Sequence, residues 1–197
     1  MRSPLLLLLL GLTLPQPSPA APADLAKLLA VGPEGQGNAE AAAAWKALTA
    51  SSTAADLPAL FTAMDEANPL AANWLRGAVF AVADRTAAAG QTLPPGLLTD
   101  FLKNRTHGPS GRLLAADLLQ QTDRAAWDTL VPALLLDPVP ALRREPVARL
   151  TTQATTAKDK TKLRQALEAA RDEDQVRAAA DELRALGETV DLPRHFG

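Results

Sequence analysis

The stretch LVPALLLDPVPALRREPVARL, Leu130 to Leu150, decides the reading of the fold. It reads as an apolar first helix with Pro132 in its middle, a turn at Asp137, and a second helix opened by Leu142-Arg143. Asp137-Pro138 pairs a favourable N-cap residue with proline at the first helical position, where the missing N–H has no intrahelical partner in any case. Asn68-Pro69 and Gly108-Pro109 punctuate the chain in the same way. Hydrophobic spacing is helical almost everywhere after Asp24, and no stretch shows the strict two-residue alternation of β-branched or aromatic residues that marks a strand. The expected class is all-α.

Working outward from these starts, the spacing predicts helices near 39–50, 55–66, 70–89, 95–104, 110–121, 124–136, 139–153, 158–171 and 174–186. In the last, Val176, Ala180, Leu183 and Gly187 share one face while Arg177, Asp181 and Arg184 share the other. Its entry, Asp172-Glu173-Asp174-Gln175, has the form of a capping box, and Gly187 suits a C-terminal stop. When the helices are paired, Arg76, Arg112, Arg143 and Arg177 each fall near the start of a second helix, at spacings of 36, 31 and 34. The first helices carry Phe61, Phe101, Leu134 and Leu167 at spacings of 40, 33 and 33. A period in this range is the signature of stacked helical repeats.

The Leu130–Leu150 unit resembles a HEAT-like repeat. DEDQVRAAADELRALG is similar to the turn and second helix of such a unit through Asp172, Val176, Arg177, Ala180 and Leu183. DLPALFTAMDEANPLAANWLRGAVFAV supplies Leu57-Pro58-Ala59-Leu60 for a first helix and Leu75-Arg76 for a second. The unit at 95–121 departs from the pattern, with Gly111 where an aliphatic residue should precede Arg112, and Pro146 replaces a small residue after Arg143. The resemblance implies an α-solenoid of about four helix pairs over 55–187, with an N-terminal cap helix or atypical repeat at 24–54. It also implies a structural ladder between adjacent repeats, formed by second-helix arginines and turn aspartates, with Asp137, Arg143, Asp172 and Arg177 as its members and Arg76 and Arg112 at repeat positions.

The N-terminus, Met1-Arg2-Ser3-Pro4 followed by the apolar run Leu5–Leu14, has the layout of a secretory signal peptide. The run is too short to cross a bilayer, which takes ~20 apolar residues. Small residues at Ala21-Pro22-Ala23 and Ser18-Pro19-Ala20 place cleavage after Ala23, with Ala20 as the alternative, so 1–23 is expected to be removed. The remainder is long enough for one domain. The chain of 197 residues has a formal charge of −2, which offers no global attraction for nucleic acid or anionic membrane. It has no cysteine, which excludes disulfides, thiol nucleophiles and a lipidated-cysteine anchor. Tyrosine and isoleucine are absent too.

Candidate chemistry is sparse. His107, in the polar turn NRTHGPSG, and His195, near the C-terminus, have no second ligand or nucleophile at metal or triad spacing. Asp172-Glu173-Asp174 lacks the alternation of a calcium loop, and no phosphate loop or nucleophile elbow occurs. No catalytic, metal or cofactor residue is therefore assigned. The basic residues Arg143, Arg144 and Arg149, and Lys158, Lys160, Lys162 and Arg164, could line one ridge as a solvated face or a contact for an acidic protein. Trp45, Trp74 and Trp127 are read as core. Trp74, Arg144 and Arg149 are the candidates for a partner surface. The expectation is an exported, non-enzymatic helical scaffold that binds another protein or positions an attached domain, with no stable membrane insertion. The alternative is the helical N-terminal module of a longer exported enzyme or carbohydrate-active protein, with 188–197 as an extended tail or linker.

Overall fold

The computed structural model describes residues 22–94 and 96–192; the apolar run Leu5–Leu14, Ala20 and His195 lie outside them. Among the described residues the chain is all helical, without strands. In chain order the helices are α1 (Pro22–Leu29), α2 (Asn38–Ser51), α3 (Leu57–Ala63), α4 (Pro69–Ala88), α5 (Leu97–Lys103), α6 (Pro109–Thr122), α7 (Arg124–Leu130), α8 (Pro140–Ala157), α9 (Lys160–Ala169) and α10 (Glu173–Ala185), with short 3₁₀ turns at Pro33–Gly35, Ala54–Asp56 and Val131–Leu134.

Local chemistry accounts for most of the boundaries. Asn68 caps α4 by accepting from the Leu70 and Ala71 N–H groups, at 2.9 and 3.0 Å, and its amide donates to the Val31 carbonyl at 2.6 Å. One side chain thus starts a helix and fastens it to the loop after α1. Asp123 and Asp159 cap α7 and α9 through the Ala126 and Lys162 N–H groups. Pro132 has no N–H to continue the α-helical ladder, and the first helix of that pair ends at Leu130 and tightens into 3₁₀ across Val131–Leu134. At the end of α10, Gly187 takes φ 82°. The Gly187 N–H bonds to Arg184 and the Glu188 N–H to Leu183, a Schellman stop.

Three expectations from the sequence need correction. Before the predicted helix near 39–50, which is α2, stands a further helix, α1, packed on it; Leu28, at 0% exposure, is the residue that buries α1. Asp137-Pro138 does not start α8, which begins at Pro140 with Val139 as its N-cap. Asp172 stands at the N-cap of α10, but its side chain makes no capping bond. In the third case Arg144 of α8 holds the carboxylate instead; in the second, Asp137 binds Arg112 of α6 while it accepts the Val139 N–H.

The helices associate with their chain neighbours. α1 packs on α2, α3 on α4, α5 on α6, the Val131–Leu134 turn on α8, and α9 on α10. Every extensive contact beyond these joins one pair to the next: α2 with α4, α3 with α6, α6 with α7 and α8, and α8 with α9 and α10. Phe61 of α3 and Phe101 of α5, predicted to hold equivalent positions, meet with ring centroids 5.0 Å apart. The buried apolar residues fall into a long cluster running from Leu28 to Leu142 and two small ones in the last pairs, Val147, Ala169, Ala170 and Val176, and Ala154, Leu163 and Leu183. Val190 folds back onto the last of these, so the residues after α10 rest partly on the helices.

Candidate functional site

Two features could carry function: the charged seams between helix pairs, and a groove between α4 and α6. The best formed seam is a buried ion pair. Arg112, in the first turn of α6, and Asp137, in the turn before α8, are both 1% exposed. The guanidinium engages the carboxylate through two bonds of 2.9 and 2.5 Å, and its Nε and Nη2 also donate to the Leu102 carbonyl at the end of α5, at 3.0 and 2.7 Å. Asp137 accepts the Val139 N–H at 2.9 Å as well. Burial pushes the Asp137 carboxyl up, but the hydrogen bonds from Arg112 and Val139 and the charges of Arg112 and Arg105 outweigh it, leaving the group below its usual range. A carboxyl lowered by folding stabilises the fold above the ordinary carboxylate range, and that contribution is lost as pH falls through the lowered value.

The other residues expected at ladder positions have different partners. Arg143 donates to the Asp137 backbone carbonyl and, at 3.5 Å, to the Ala169 carbonyl, spanning the fourth and fifth pairs. Burial and the charge of Arg171 lower its pKa. Asp172 meets Arg144 at 2.9 Å instead of Arg143, and Asp174 meets Arg144 at 3.2 Å. Arg76 lies one helical turn deeper in its helix than the other marker arginines and pairs at the surface with Asp117 of α6, at 2.9 Å. Arg177 pairs along its own helix with Glu173.

Arg149 belongs to a further cluster that the sequence reading missed. It binds Asp128 at 2.5 Å and Glu145, while Arg124 reaches the same two carboxylates at 3.1 and 3.2 Å. The indole N–H of Trp127, a residue only 2% exposed, donates to Glu145 at 2.9 Å. Hydrogen bonding to Arg149 is the main cause of the lowered Asp128 pKa, and the same bond raises Arg149. Lys160 and Arg164 both meet Glu188, and Lys162 meets Asp159. The basic ridge expected from the sequence is therefore largely paired with acids. Trp74 is half-buried against Trp45, with ring centroids 6.3 Å apart. His107 stacks on Phe101 at 3.9 Å and 5°.

The groove follows from how α6 is seated. Its N-terminus presses on the end of α3, where the Gly111 N–H donates to Asp65 at 3.1 Å. A Cβ at Gly111 would lie 2.2 Å from the Phe61 carbonyl oxygen, so only glycine allows this approach. Arg76 and Asp117 clasp α4 to α6 partway along. Beyond the clasp the two helices frame a groove of about 620 Å³, closed by the connection from α4 to α5. Phe80, Ala83, Leu93, Leu98, Leu118 and Leu119 give it apolar walls. Asp84 and Asp123 are the charged residues lining it, and no basic residue does so. Its volume falls within the usual range of ligand clefts, ~300–1,000 Å³.

No group of histidine, cysteine, aspartate or glutamate that could hold a metal ion occurs among the described residues, and no helix among them is long and apolar enough to cross a membrane. The chain matches no family model, no curated protein and no solved structure.

Proposed function

We propose that this chain is an exported, non-enzymatic helical-repeat scaffold of HEAT-like pairs, whose exposed faces bind another protein. The observation that carries this reading is the packing order: each helix pair makes its extensive contacts only with itself and its chain neighbours. That is the arrangement expected of a solenoid, in which stacking leaves long side faces free for a partner. The Arg112–Asp137 pair, spanning α6 and the turn before α8, sits where a repeat ladder would stand. Export is proposed from the N-terminal layout, Arg2 followed by Leu5–Leu14. A cut after Ala20 would leave α1 whole, whereas a cut after Ala23 would remove its first two residues.

The test is affinity capture from the extracytoplasmic fraction with the mature chain as bait, followed by alanine variants of exposed positions on α4, α6, α8 and α10. A reproducible partner, competed by free chain and lost with a contiguous set of variants, is the expected result. Failure of every variant to release any captured protein would contradict a specific binding face.

A further inference from the structure

We infer that the groove between α4 and α6 receives a basic, amphipathic segment of a protein partner, with an apolar side chain against Leu93, Leu98 and Leu118 and a lysine or arginine at Asp84 and Asp123. This deepens the scaffold reading and rests on it.

The occupant is argued from the charge and shape of the lining. Along α7 to α10 many acids and bases pair with one another: Arg144 with Asp172 and Asp174, Arg149 with Asp128 and Glu145, Arg164 with Glu188. In the groove the balance is one-sided. Asp84 is exposed and Asp123 uses one oxygen to cap α7. No lysine, arginine or histidine lines the cavity, so both carboxylates face an apolar trough without a basic neighbour in its walls. An anionic occupant would be repelled. An uncharged apolar one would leave the carboxylates to be desolvated without compensation. A cationic amphipathic segment satisfies both: its apolar side chain removes the walls from water, and its ammonium or guanidinium pairs with the acids at the rim. At the rim, Gln91 has an exposed amide, while the Thr86 and Thr122 hydroxyls donate to the Val82 and Leu118 carbonyls and keep only acceptor capacity for a bound backbone.

The experiment uses the full mature chain and a fluorescent synthetic peptide of alternating leucine and lysine, with leucine–glutamate and serine–lysine peptides as controls, read by fluorescence anisotropy. Three variants are compared: Asp84→Lys reverses one charge, Asp123→Asn keeps a capping oxygen while removing the other charge, and Ala87→Trp fills the groove from its exposed rim. Circular dichroism melts show whether each variant is folded. The leucine–lysine peptide is expected to bind, more weakly as salt rises. Its affinity should fall about tenfold or more in Asp84→Lys and Ala87→Trp, a change of ~1.4 kcal/mol. Neither control peptide should match it. Equal binding to wild type and Ala87→Trp would overturn the proposal, as would equal binding of the serine–lysine peptide, which lacks the apolar anchor. Preference for the leucine–glutamate peptide would overturn it too. If a captured partner survives Ala87→Trp but is lost with variants on α8 and α10, the scaffold reading stands and the groove assignment fails. If nothing is captured specifically while the peptide still binds in the groove, the reverse holds.

Discussion

Replacing Arg112 by methionine is expected to destabilise the protein by about 3–5 kcal/mol, because it strands the Asp137 carboxylate in a buried site. The size of the effect comes mainly from the charge left behind. Methionine fills much of the same volume and keeps the aliphatic contacts of the arginine stem, so lost packing contributes little. Asp137 would retain the Val139 N–H, the weaker charge of Arg143, and Arg105, whose Nε stands 3.9 Å away and whose side chain is exposed. The double variant Arg112→Met/Asp137→Leu should recover part of the loss. Recovery stays incomplete because the Leu102 carbonyl loses both its donors and Val139 its acceptor.

The pH dependence separates this account from a simple packing defect. In the wild type, Asp137 titrates below its ordinary value of ~3.9, so the pair contributes fully above that value and is lost as pH falls through the lowered one. In Arg112→Met, burial acts on the carboxyl against only the Val139 N–H and the charges of Arg105 and Arg143, and its pKa is expected to rise. Acid then neutralises the stranded charge, and the stability gap between variant and wild type should narrow as pH falls toward 4. Urea denaturation across this range measures it. A gap that is constant with pH would show that Asp137 is not stranded in the variant.

Gly111→Ala is expected to destabilise by about 1–3 kcal/mol, and Gly111→Leu by more, as overpacking against a fixed wall. Two effects compete at this position. Alanine in a helix interior is favoured over glycine by up to ~1 kcal/mol, but Gly111 lies in the first turn of α6, where that gain is smaller. Against it stands a Cβ 2.2 Å from the Phe61 carbonyl oxygen and 2.9 Å from the carbonyl carbon. Both are backbone atoms of α3 and cannot rotate away, so α6 must shift and weaken the Gly111–Asp65 bond. The steric term wins. Thermal melts of Gly111→Ala showing equal or greater stability would mean that α6 does not seat on α3 in this way.

The helices were legible because their apolar spacing and their caps agree. Asn68-Pro69 and Gly108-Pro109 start α4 and α6 where the residue pairs say they should. Asp137-Pro138 carries the same local signal, yet α8 starts at Pro140; the Asp137 carboxylate accepts the Val139 N–H and also binds Arg112 of another helix pair. Asp172 makes no capping bond and meets Arg144 instead. A tertiary ion pair engages the carboxylate in both places, and no local pattern announces that. Arg112 and Asp137 could be marked from their spacing and from the resemblance, although which arginine meets which aspartate could not. α1 escaped because Leu25, Leu28 and Leu29 make too short a periodic run to stand out from the proline- and alanine-rich segment before it. The groove was illegible for a different reason. Gly111 was visible as a departure from the repeat pattern, but the departure acquires meaning only when α3 is seen to fill the space of the missing side chain. Asp84 and Leu93, more than a full helix away from Leu118 and Asp123 in sequence, share a wall only once α6 is seated there.

The proposal that this is a linear stack of helix pairs, each stabilised by its neighbours, is tested most directly by native-state hydrogen exchange on Leu183→Ala. Leu183 is 1% exposed and belongs to a small cluster with Ala154 and Leu163, separate from the main core. Removing its side chain is expected to cost about 2–5 kcal/mol locally. In a stack with nearest-neighbour coupling, amide protection should fall in α9 and α10, less in α8, and hardly at all in α1 to α4. An equal loss of protection in every helix, from α1 to α10, would contradict the account and show a single cooperative core.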